Sequence, residues 1–176
     1  ETLGNHVKQA GSLVTSERLR FDYTHFSPLT EMDKDQIEEM VNEKIRENLN
    51  VVIRELPIDK AIKEGAMALF GEKYDNNVRV VSMGEFSKEL CGGTHTSLTG
   101  NIGFFKITSE GSIASGVRRI EALTGRAAYL YIQKQNNILT SIQSILKVPP
   151  EDEVDRIKKL LAKSREMEKE ITNLKE

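Results

Sequence analysis

The hydrophobic period changes at Arg126, and that change divides the chain. From Arg126 to Lys147 the sequence RAAYLYIQKQNNILTSIQSILK contains neither glycine nor proline. Within it Ala128, Ile132, Gln135, Leu139, Ile142 and Leu146 recur at alternating steps of four and three. After Val148-Pro149-Pro150 the rhythm resumes at Ile157, Leu160, Ser164, Met167, Ile171 and Leu174. These are a and d positions of a heptad, the seam by which one helix packs on another. Gln135 and Ser164 interrupt the seam. The expectation is a helical arm over 126–176, folded as a helical hairpin across a short proline turn. Its stripes are suited to packing within the hairpin or to self-association between chains. No C-cap closes the last helix, so it is expected to continue.

Residues 1–125 read differently. ETLGNHVKQ lacks a starting cap and reads as the tail of a helix that begins upstream, ended by Gly11-Ser12. SLV (12–14) and LRFDYTHF (19–26) read as strands, because Leu19, Phe21, Tyr23 and His25 alternate with polar residues. TSER (15–18) makes the turn between them. Thr30 with Glu31, Asp33 and Asp35 is an N-terminal helix signal. Ile37, Val41, Ile45 and Leu49 step by four and predict an amphipathic helix over 33–50. VVIREL (51–56), VRVVSM (78–83) and NIGFFKITSE (101–110) read as strands, with another around 117–122. Pro57 opens a short helix, IDKAIKEG, closed by Gly65. AMALFGEKYDNN reads as irregular, with turn residues at Asp75-Asn76-Asn77. The class is α+β: a mostly antiparallel sheet packed with helices over 1–125, then the arm.

The 176 residues carry a formal charge of −2. There is no global attraction for a polyanion, so RNA binding requires local basic patches. No run approaches the ~18 apolar residues of a spanning helix, so no membrane is expected. The N-terminus lacks a signal-peptide layout. One cysteine cannot form an intramolecular disulfide, which fits a reducing, cytoplasmic setting.

That cysteine, Cys91, stands four residues before His95 in CGGTH. Zinc accepts thiolate and imidazole at roughly 2.0–2.3 Å, and Gly92-Gly93 lets the loop wrap closely. C-x₃-H alone is half a site, and an inert buried cysteine beside an unrelated histidine is the alternative. His6 and His25 lie on different elements, do not form H-x₃-H, and read as structural or exposed. Arg118 and Arg119 are the sharpest basic pair. A strand turns them to opposite faces, toward a pocket, an RNA phosphate, or an ion pair with Glu121 or another acid. Arg20 is placed to pair with Asp22. The glycines at 100, 103, 111 and 116 lack the strand-to-helix pattern of a nucleotide loop, and the acidic helix over 31–50 reads as a solvated face.

Five blocks in order, HVKQAGSLV (6–14), LRFDYTHF (19–26), ELCGGTH (89–95), TGNIGFFKI (99–107) and GVRRIEALTG (116–125), resemble the alanyl-tRNA synthetase family. They resemble its editing domain without the first part, and the arm is similar to the coiled coil that follows. The resemblance implies a proofreading hydrolase that removes serine or glycine from mischarged alanine tRNA. It implies zinc held by an H-x₃-H pair, expected upstream of Glu1, and by Cys91 and His95. It makes Gln9 and Cys91 the catalytic candidates, Thr94 a pocket candidate, and Arg118 and Arg119 the tRNA-binding candidates. The same residues leave two other readings: a free-standing trans-editing deacylase of that superfamily, and a non-catalytic RNA-binding or dimerisation module.

Overall fold

The computed structural model describes residues 2–68 and 74–175, in two compact units divided at Tyr129. The sequence reading places the division after residue 125.

The first unit holds two antiparallel sheets. Strands β1 (Gln9–Val14), β2 (Leu19–Thr24), β6 (Phe105–Ala114) and β7 (Val117–Thr124) form a four-stranded sheet ordered β1-β2-β7-β6. Strands β3 (Val51–Pro57), β4 (Asn77–Met83) and β5 (Ser87–Leu90) form the other, ordered β3-β4-β5. The alternation in LRFDYT does what a period of two should. Leu19, Phe21 and Tyr23 share a face with Ile120 and Ala122, while Arg20 and Asp22 face the other way beside Glu121 and Arg119. The apolar face packs with α1 (Glu31–Arg46), whose Ile45 is buried and whose Ile37 and Val41 are half-buried. A second core gathers Ala61 of α2 (Ile58–Lys63) with Ala66, Val78, Val80 and Leu90.

Helix α1 starts where its sequence says. Thr30 accepts from the Asp33 backbone N–H, and the Asp33 carboxylate accepts from Thr30, a complete capping box. It stops before the expected residue 50, because Asn48 is left-handed at φ 51°, a conformation asparagine tolerates. Asn42 fixes the helix to the outer edge of β6. Its amide donates to Phe105 O at 2.9 Å and accepts from Phe105 N at 2.8 Å. Glu38 adds a bond from Ile107 N at 2.7 Å and an ion pair to Lys106 at 2.8 Å.

Three sequence expectations are corrected. Residues 2–8 are not helical, and Gln9 already belongs to β1. Thr24 N donates to Lys8 O at 2.9 Å, and Lys8 N donates to Thr24 Oγ1 at 3.0 Å. These pairings with β2 outweigh the weak helical pattern, and Gly11 lies inside the strand beside a bulge. The strand expected at 101–110 starts later, after a 3₁₀ turn over Thr99–Ile102. Ser87–Leu90 forms a short strand that the sequence did not signal.

In the arm, α3 (Gly125–Leu146) and α4 (Glu153–Asn173) are joined through a 3₁₀ turn over Pro150–Asp152. Helix α4 buries no residue, and its Met167 and Ile171 are each 50% exposed. The two helices therefore do not close their stripes upon one another. Among the described residues no helix is long and apolar enough to cross a membrane.

Candidate metal half-site and adjoining cavity

Strand β5 ends at Leu90, which is 3% exposed, and the chain then turns outward into Cys91–His95. Two anchors hold the start of this loop. Leu90 N donates to Met67 O at 2.9 Å, and Cys91 N donates to Arg79 O at 3.1 Å. The Arg79 guanidinium, on β4, reaches back and donates from Nη1 to Cys91 O at 2.9 Å and also to Gly93 O. One arginine thus ties together two carbonyls of the C-x₃-H loop.

Within the loop His95 Nε2 lies 3.3 Å from Cys91 Sγ. Two donors bound tetrahedrally at about 2.3 and 2.0 Å would stand roughly 3.5 Å apart, so this pair suits a shared zinc ion with a small adjustment. A Cβ on Gly93 would touch both donors, 3.5 Å from the sulfur and 3.9 Å from the nitrogen, whereas Gly92 faces open space. Only the second glycine bears on the site. Among the described residues no group of three or more His, Cys, Asp or Glu side chains converges on one point. Cys91 and His95 fit half of a tetrahedral set.

Beside the loop, between β1 and β5, lies a cavity of about 430 Å³. Val7, Gln9 and Phe21 line one side and Met67, Glu89 and Leu90 the other. Its size suits a small ligand. Gln9 bonds Ser12 Oγ at 3.2 Å through its Nε2. Its position brings it opposite the strand that runs into Cys91, although the two are far apart in sequence. Thr94 is exposed and is not among the described residues lining this cavity.

The histidines outside the loop form their own pair. His6 and His25 stack at 5.1 Å between centroids and share a 2.9 Å contact from Nε2 to Nδ1, with Ser27 Oγ 3.2 Å from His25 Nε2. The sequence reading has each as structural or exposed and does not bring the two together.

Arg118 and Arg119 do point to opposite faces, and carboxylates hold both forks. Arg118 is 8% exposed and forms a bidentate pair with Glu110, with Nη2 at 2.9 Å from Oε2. Tyr23 donates its hydroxyl to the same Glu110 at 2.9 Å. Burial works against the Glu110 charge, but the hydrogen bonds from Arg118 and Tyr23 outweigh it and keep its pKa below the ordinary value. Burial, reinforced by Glu110, pushes the Tyr23 hydroxyl well above its usual range. Arg119 binds Asp22 at 2.7 and 2.8 Å, and that hydrogen bonding lowers the Asp22 pKa. The expectation that this pair meets phosphate is corrected: a fork closed on a carboxylate, buried in one case, is not offered to RNA. Asp22 is likewise bonded by Arg119, not by Arg20, whose buried Nε has no partner among the described residues.

The sequence reading missed Arg79. A lone charge inside the apolar strand VRVVSM was the available signal, since a strand half-buried on both faces holds an arginine only where it finds acceptors.

Comparison with known proteins gives the same direction. Residues 78–121 match the family model described as the threonyl and alanyl tRNA synthetase second additional domain. That stretch contains β4, the C-x₃-H loop and β6. Over 98% of its length the chain is 56% identical to the alanine--tRNA ligase of Desulfosudis oleivorans and 54% identical to that of Acetivibrio thermocellus. Over its full length it is 52% identical to the alanine--tRNA ligase of Shewanella loihica. The chain belongs to the alanyl-tRNA synthetase family, and it spans about 20% of the length of these relatives.

Proposed function

We propose that this chain is the proofreading part of an alanine-tRNA ligase, hydrolysing the ester of serine or glycine mischarged onto alanine tRNA. The observation that carries the reading is the 3.3 Å approach of Cys91 and His95 on a loop beside the cavity lined by Gln9. An aminoacyl ester is already activated, so the site must choose more than it must force. A synthetic pocket sized for alanine cannot strongly exclude glycine or a side chain bearing one extra hydroxyl, and a second hydrolytic sieve is the physical remedy.

Cys91 and His95 hold zinc in this reading, with the two remaining ligands supplied by an H-x₃-H pair ahead of Glu1. A zinc ion held there would supply Lewis-acid polarisation of an ester carbonyl or a water. Arg79 holds the Cys91 and Gly93 carbonyls and so steadies the loop that carries the two donors. The Gln9 amide both donates and accepts, so it orients the substrate amino group or the attacking water in the cavity. Thr94 is the candidate partner for a serine hydroxyl, on a loop that must fold inward to reach it. A reducing cytoplasm keeps the Cys91 thiol available for metal. The exposed stripe of α4 supports a further reading of the arm as a self-association element.

The test is release of serine from seryl-tRNA bearing the alanine anticodon and acceptor stem. The chain with its H-x₃-H segment should hydrolyse the ester, and the 176 residues alone should do so poorly. Full activity of the bare chain would contradict the ligand assignment.

A further inference from the structure

With Arg118 and Arg119 engaged, contact with a polyanion must come from other cations. Arg46 and Arg126 have exposed side chains that make no ion pair or hydrogen bond among the described residues. Arg46 is the last residue of α1 and lines a cleft of about 360 Å³ together with Asn48, Gly100, Gly103 and Phe104. Arg126 stands next to Gly125, which packs directly on this cleft. Gly125 N donates to Phe104 O at 2.9 Å, and a Cβ on Gly103 would lie 3.0 Å from Gly125 Cα.

The walls of the cleft are fixed from below. Thr99, 3% exposed, accepts from Leu49 N at 2.8 Å and donates to Lys44 O at 2.8 Å, joining the end of α1 to the 3₁₀ turn. The floor is backbone without side chains: Gly103 has φ 72° and ψ −160°, a region open essentially to glycine. Above it Phe104 is 48% exposed while its neighbour Phe105 is 7% exposed. An exposed ring on a glycine floor, with the Arg46 guanidinium in the lining and the exposed Arg126 one residue beyond Gly125, is the kind of arrangement that stacks an unpaired base and holds the phosphates beside it. The cleft follows the metal half-site closely in sequence. A single short connection runs from His95 to Gly100, braced by Asn101 Nδ2 on Thr96 Oγ1 at 3.2 Å.

We propose that the cleft between the end of α1 and the start of α3 binds single-stranded RNA, with a base on Phe104 and phosphates on Arg46 and Arg126. The identity of that RNA as the unpaired end of a tRNA rests on the proofreading reading.

The experiment measures binding of a labelled, unmodified alanine-tRNA transcript to the 176-residue chain across a salt series. The variants are the double Arg46→Gln/Arg126→Gln, Phe104→Ala, and a control Lys60→Gln/Lys63→Gln on α2. Two single-strand phosphate contacts contribute about 1.4 to the slope of log K against log salt. The double arginine variant should lose about that much slope and bind roughly tenfold more weakly. Phe104→Ala should bind about fivefold or more weakly at unchanged slope, as loss of one stacked base requires. The lysine control should match the parent, and all variants should melt as the parent does.

A transcript that does not bind, or that binds all four proteins alike, overturns the proposal. So does an equal effect from the lysine control. If polyglutamate responds to the substitutions and the transcript does not, the surface serves an acidic protein and the proposal is wrong. Ester hydrolysis does not enter this readout. The predicted binding pattern, with no serine release by the protein carrying the H-x₃-H segment, would sink the deacylase and leave the cleft; serine release by that protein with unaltered binding by the variants would do the reverse.

Discussion

Replacing Asn42 with leucine tests how helix α1 is held to the edge of β6. Asn42 is 7% exposed, and its amide satisfies both polar groups of Phe105 on the open edge of β6, at 2.8 and 2.9 Å. Leucine has similar volume, so cavity formation contributes little. Both backbone groups lose their partner in a place water does not reach. Each unsatisfied group costs about 1–3 kcal/mol, so the substitution should destabilise the unit by roughly 2–5 kcal/mol. Urea unfolding followed by tyrosine fluorescence should show a lower midpoint at an unchanged slope. Asn42→Asp provides the internal check. It keeps the acceptor for Phe105 N but turns a second oxygen toward Phe105 O. Its folded-state pKa should therefore be raised, so it should gain stability as the pH is lowered and the carboxyl becomes a donor. A loss below about 1 kcal/mol for Asn42→Leu would refute the reasoning, because it would mean water or a neighbour satisfies the edge equally well.

Other outcomes follow from the same geometry. Arg79→Met removes both bonds to the loop carbonyls, and in the protein carrying the H-x₃-H segment it should weaken zinc by about 10–100-fold in chelator competition; unchanged affinity would deny Arg79 its positioning role. The depressed pKa values of Glu110 and Asp22 stabilise the folded state above the unfolded carboxylate range, and that stability should be lost as pH falls through the folded values. Glu110→Gln should flatten this acid limb in urea titrations at stepped pH, and an unaltered limb would place the titrating groups elsewhere. Gly103→Ala forces a side chain into a backbone region reserved for glycine, against Gly125, and should cost about 1–3 kcal/mol in thermal unfolding.

Much of the fold was legible because its signals are local. The alternation in LRFDYT, the Thr30–Asp33 cap and the heptads of the arm each specify an element within one stretch of sequence. What was not legible depends on partners far along the chain. Residues 2–8 lose their helical pattern to pairing with β2, and Ser87–Leu90 becomes a strand only because β4 lies beside it. The site divides the same way. C-x₃-H could be read from its spacing, and the two donors do meet. The fate of Arg118 and Arg119 could not, because Glu110 and Asp22 become their neighbours only when β6, β7 and β2 assemble. Arg79 escaped notice for the same reason, since its acceptors are carbonyls twelve and fourteen residues on.

The central claim is that Cys91 and His95 share one metal ion that proofreading requires. Cobalt titration of the chain carrying the H-x₃-H segment, before and after Cys91→Ala, measures this directly. The account predicts a sulfur-to-cobalt charge-transfer band with one equivalent of metal, lost in the variant together with serine release from mischarged tRNA. A variant that keeps one tightly bound equivalent and hydrolyses the ester at the parent rate would contradict it.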